Sequence, residues 1–133
     1  IMERLYNSGH TTEADDMLAR ILWWGEKLPY WGDSLYADRP DYRKDTPLQC
    51  MIDGLAVAQM YIFGLFGITP NADGSVTVNP HLPPLAKEMA LQNVKLLGQK
   101  FDVVVSGDSF HVNLENLKKE STLGRPIILT KPK

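Results

Sequence analysis

The chain has 133 residues and a mass of 15.0 kDa, room for about one domain. With 44% hydrophobic and 23% charged residues, it is not a wholly disordered chain. A formal charge of −2 argues against a nucleic-acid binder, which needs a basic surface to neutralise phosphates.

A single cysteine, Cys50, excludes an internal disulfide framework and a Cys-rich zinc site. Ile1-Met-Glu-Arg4 shows no basic segment followed by an apolar run, so no secretory signal is visible. That observation leaves the compartment open.

Met2 to Asn7 reads as the end of a helix, stopped near Ser8-Gly9. Thr11 and Thr12, with Asp15 and Asp16 in the next turn, mark a new helix start. Ala14, Met17, Leu18, Ile21 and Leu22 then recur at helical spacing, and the helix ends before Pro29. Residues 29–47 form a long irregular stretch rich in Tyr, Asp and Arg. A loop of that length in a small domain is usually functional. A second helix is expected from about Leu48 to Phe66.

Gly54 to Ile68 carries no charge over fifteen residues. A membrane span needs about 20 apolar residues, so no span is expected. A helix apolar on all sides is otherwise buried on all sides. The rest of residues 1–68 offers too few helices to surround it. The chain is therefore expected to belong to a larger helical assembly, or to form a homo-oligomer.

Residues 69–133 read as β, with the boundary near Thr69-Pro70. Asn71-Ala-Asp-Gly74 is a turn. Strands are expected at Ser75–Asn79, Leu91–Leu97, Gly98–Ser106, Ser109–Leu114 and Arg125–Leu129. Lys118–Glu120 reads as a polar connection. The result would be one meander of about five short strands, half-buried on one face.

The aromatic loop is the first candidate site. Its three tryptophans, Trp23, Trp24 and Trp31, lie within nine positions and are interleaved with Asp33, Tyr36, Asp38 and Arg39. Aromatic faces stack on the C–H face of a sugar while carboxylates and Arg take its hydroxyls. Trp31, Asp33, Tyr36 and Arg39 are therefore candidate carbohydrate-binding residues. Trp23 and Trp24 also suit ordinary core or rim packing. Asp53, near the start of the apolar helix, is the candidate catalytic carboxylate. A helix N-terminus would hold it ionised, and burial would tune it as an acid or base. A surface-facing acid in the first turn is the alternative. His10, His81 and His111 lack metal-ligand spacing, Cys50 reads as a small buried residue, and Asp102 and Asp108 read as solvent-facing. No metal or other cofactor is called for.

The order of elements resembles a known family. Asp73-Gly-Ser-Val-Thr-Val-Asn-Pro-His-Leu-Pro83 and Leu91-Gln-Asn-Val-Lys-Leu-Leu-Gly-Gln-Lys-Phe-Asp-Val103 look like the C-terminal end of glycoside hydrolases built on an (α/α)6 barrel. Families 65 and 95 show a strand ending in P-x-L-P and a later G-x-x-F-x-V strand. Thr46-Pro-Leu-Gln-Cys-Met-Ile-Asp-Gly54 is similar to a family 95 segment in which the position of Asp53 assists the base side of catalysis. Leu55-Ala-Val57 departs from that segment. Cys50 stands where a family 65 enzyme has a phosphate-contacting His, which does not support phosphorolysis.

The resemblance implies an α+β chain, residues 1–68 being the last helices of a helical barrel and 69–133 a small antiparallel β domain. It implies the C-terminal part of a glycoside hydrolase that inverts configuration at the anomeric carbon and is inactive by itself. The general-acid Glu would lie upstream. The implied partners are a carbohydrate and the rest of the barrel, and the implied compartment is periplasmic or extracellular. The alternative from the residues alone is a non-catalytic carbohydrate-binding or protein-interaction module.

Overall fold

The computed structural model describes residues 1–28, 34–43 and 51–130, with the side chains of 51–53 left aside. The chain opens with α1 (Met2–Asn7) and α2 (Thr11–Lys27), joined through Gly9 at φ +82°. Thr11 is the first helical residue of α2, and His10 precedes it without a side-chain cap. Residues 34–43 carry a short antiparallel bridge, Leu35 to Tyr42.

The next helix, α3 (Met51–Gln59), runs straight into a π-helical segment, Met60–Leu65. The wider turn shows in the Phe66 N–H, which donates to the Tyr61 carbonyl five residues back at 2.9 Å. This segment packs on α1, and Gly64 makes the approach close. A Cβ there would lie 3.0 Å from Glu3 Cα. Met2, Tyr6, Ala14, Leu18, Met60 and Leu65 form one small core.

Seven strands follow, in two antiparallel sheets. The small sheet has the order β1 (Ile68–Pro70), β2 (Val76–Val78), β7 (Ile127–Leu129). The large sheet has the order β3 (Glu88–Leu96), β4 (Gln99–Ser106), β5 (Ser109–Leu114), β6 (Leu117–Thr122). Alternation along β4 buries Phe101, Val103 and Val105, and Phe110 and Val112 of β5 join them. From the small sheet come Ile68, Val76, Val78, Ile127 and Leu129, so the second core joins side chains of both sheets.

The expected architecture, last helices of an (α/α)6 barrel followed by a small sheet domain, is therefore corrected. Among the described residues the structure is seven strands in two small antiparallel sheets, with three α-helices and a π-helical segment, and no helical barrel segment. The physical reason lies in the pairings. β7 returns to β2, with Val76 opposite Leu129 and Val78 opposite Ile127, and so splits the strands between two sheets. The polar stretch Lys118–Glu120 lies in β6, where cross-strand pairing with β5 outweighs its composition. No helix among the described residues is long and apolar enough to cross a membrane.

Candidate functional site

The helices meet the sheets at a cluster of three polar side chains. Tyr6 sits near the end of α1 and Asp15 in the second turn of α2, because the Ser8-Gly9 turn folds one helix back onto the other. The Tyr6 hydroxyl donates to Asp15 Oδ1 at 2.8 Å. The other carboxylate oxygen, Oδ2, lies 3.1 Å from His81 Nε2. The Tyr6 and His81 rings are 5.4 Å apart and tilted. Tyr6 is 8% exposed. Burial, then the hydrogen bond to Asp15 and its negative charge, push the Tyr6 hydroxyl well above the usual phenol range.

His81 belongs to the proline-rich segment after β2, which is pinned from two sides. The Asn79 N–H donates to the Gly67 carbonyl at 3.2 Å, and the His81 N–H to the Leu65 carbonyl at 2.9 Å. Pro80 and Pro83 are buried beside it. One carboxylate shared between two aromatic partners ties the start of the chain to the β region. Among the described residues, no group of three or more His, Cys, Asp and Glu side chains is placed to hold a metal ion.

Asp53, the candidate catalytic carboxylate, is the third residue of α3, and its side chain lies outside the described residues. Trp31 and Asp33 also lie outside them. The other two candidates come together. The Arg39 guanidinium stacks 3.6 Å from the Tyr36 ring centroid, and Asp38 sits 3.5 Å from Arg39. Trp23 and Trp24 make an edge-to-face pair at 5.0 Å. Trp23 is 46% exposed, with Lys27 Nζ 5.9 Å from its ring.

Reading the sequence missed Asp15 and His81. Asp15 looked like one of several acids at a helix start, and His81 like an isolated histidine. The available signal was a polar ring set among prolines that fix its backbone, in Asn79-Pro-His-Leu-Pro83. Compared with protein-family models, with curated proteins and with solved structures, the chain finds no match in any of the three.

Proposed function

We propose that this chain is the C-terminal part of a glycoside hydrolase acting on oligo- or polysaccharide glycosidic bonds, and that it is inactive by itself. The observation that carries this reading is the exposed apolar face of α3. No charge occurs from Gly54 through the π-helical segment, yet Leu55 is 70% exposed, and Ala56 and Ala58 are exposed with it. A single surface leucine is ordinary, but a charge-free run of helix from Gly54 on, with Leu55, Ala56 and Ala58 open together, supports reading this face as a docking surface. Covering one leucine is worth about 1.5–3 kcal/mol.

The reaction class comes from the resemblance of Thr46–Gly54 and Asp73–Pro83. In that chemistry, Asp53 is the base-side carboxylate and takes a proton from water as its oxygen attacks the anomeric carbon. A carboxylic acid on the covering chain protonates the leaving oxygen. The two carboxyl groups stand roughly 6.5–9.5 Å apart, and configuration inverts.

The test is expression with and without the coding sequence upstream of Ile1. The extended protein hydrolyses an oligosaccharide with inversion, read from its anomeric protons by NMR, and the 133-residue chain alone does not. Asp53→Asn lowers kcat of the extended protein by at least about 100-fold without lowering its Tm. An extended protein with no activity on any glycan overturns the reading. Full activity of Asp53→Asn removes the role given to Asp53.

A further inference from the structure

The β3–β4 hairpin closes through two residues, Leu97 and Gly98, between the paired Leu96 and Gln99. Both turn residues have positive φ, +48° and +76°. Asn-Gly, Asp-Gly or Gly-Gly build that turn, because a larger side chain is strained in the left-handed region. The next hairpin, β4–β5, follows the rule and places Gly107 at its φ of +57°. Among the described residues, Asn93 and Leu97 are the non-glycine residues with positive φ, and of the two only the asparagine suits it. Core packing does not explain the leucine. Leu97 is 43% exposed and belongs to neither core cluster.

Just below this tip, Lys95 stands directly opposite Lys100, and both are exposed. Like charges so placed repel, with their Cβ atoms about 4.5–5.5 Å apart. Among the described residues neither lysine forms an ion pair. On the strands beside them, Asp102 accepts the Asn93 N–H at 2.7 Å and Glu120 is paired with Lys118, while Glu115 lies in the β5–β6 turn. That turn is at the same end of the sheet, because Phe101 pairs with Leu114 and Leu114 with Leu117. Leu117, 55% exposed, is a second open leucine there, roughly 10 Å or two strand spacings from the first tip.

The residue types favour a lipid surface over a protein groove. Protein interfaces are anchored by aromatic and arginine side chains and are poor in lysine. Residues 93–102 and 113–119 hold no arginine, and their one aromatic ring, Phe101, is 1% exposed. At a bilayer a leucine enters the acyl boundary, while lysine stems lie along it and place their ammonium groups at lipid phosphates.

We propose that the β3–β4 hairpin docks this chain on an anionic phospholipid surface, Leu97 entering the headgroup layer and Lys95 and Lys100 meeting lipid phosphates. Strain at Leu97 and repulsion between the two lysines are stability that the fold forgoes for this contact, and the lipid phosphates relieve the repulsion. The proposal does not rest on the hydrolase reading, since lipid binding is measured without activity.

The test is co-sedimentation of the 133-residue chain with vesicles of phosphatidylcholine alone, and of phosphatidylcholine mixed equally with phosphatidylglycerol. The chain sediments with the anionic vesicles only, and raised salt releases it. Leu97→Asn weakens that binding at least about tenfold and raises Tm, since asparagine suits the turn. The double variant Lys95→Gln, Lys100→Gln weakens it at least about tenfold without lowering Tm. No binding to the anionic vesicles, equal binding to both vesicles, or binding that survives Leu97→Asn would each overturn the proposal. So would loss of binding in Leu55→Ser, which would assign the contact to the open face of α3. A lowered Tm for Leu97→Asn would give the leucine a packing role and overturn the proposal as well.

Discussion

His81 Nε2 stands 3.1 Å from Asp15 Oδ2, a contact between residues 66 positions apart. Through Asp15 it reaches the Tyr6 hydroxyl, so one carboxylate serves α1, α2 and the segment after β2. Removing that carboxylate leaves the buried Tyr6 hydroxyl without its acceptor. Asp15→Ala is expected to cost about 1–3 kcal/mol, more than Tyr6→Phe at about 0.5–1.5 kcal/mol. Urea melts of the two variants and the double variant measure the coupling. Independent, additive losses would show that Tyr6 and Asp15 do not act together.

The same cluster makes the protein sensitive to alkali. Tyr6 is held neutral in the folded state, its hydroxyl pushed up by burial and by Asp15, and burial also raises Tyr61. A raised folded-state value means that its contribution to stability is complete below the unfolded phenol value of about 10 and is lost as pH rises beyond it. Tm should fall above pH ~10, and Tyr6→Phe should flatten that fall. An identical alkaline slope in both proteins would remove Tyr6 as its cause.

Gly67 has no room for a side chain. Its φ is +57°, and a Cβ there would lie 2.1 Å from the Asn79 carbonyl oxygen. Gly98 shares the left-handed backbone, at φ +76°, but a Cβ there meets nothing within 4 Å. Gly98→Ala should cost about 1–2 kcal/mol, the conformational penalty alone. Gly67→Ala should cost more than about 3 kcal/mol, because backbone must also move. Comparable melts for the two variants would show that the Gly67–Asn79 approach relaxes freely.

Leu55 separates the stability of the chain from its docking. Because its side chain is exposed, Leu55→Ser should change the melt of the isolated chain by no more than about 0.5 kcal/mol. In the extended protein the same change should lower Tm and activity together. A variant that leaves the extended protein untouched would mean that this face is not covered there.

Much of the local structure is visible in residue types. The alternation Phe110, Val112, Leu114 follows β5, and the helical spacing of Ala14, Leu18 and Leu22 follows α2. What no periodicity carries is partnership. Leu55 and Leu65 belong to one apolar run, yet Leu55 is exposed and Leu65 is buried against α1. Ile68-Thr-Pro70 has no pattern of its own and becomes β1 only because Val76–Val78 lies opposite. The expected single meander failed for the same reason, since β7 looks like its next strand and instead pairs with β2. Tyr6, Asp15 and His81 are unremarkable apart, and only the folded chain assembles them. The placement of Trp31, Asp33 and the Asp53 side chain lies outside the described residues.

The return of β7 to β2 also sets an order of assembly. In the large sheet every strand pairs with the one next to it in sequence, so β3 to β6 can zip together through successive hairpins. The small sheet must close a loop that contains all four of those strands before Ile127 meets Val78. Refolding followed by pulsed hydrogen exchange should then run on two clocks: the hairpins, β1–β2 included, protect their amides early, and the amides that join β2 to Ile127–Leu129 are the last to leave exchange with water.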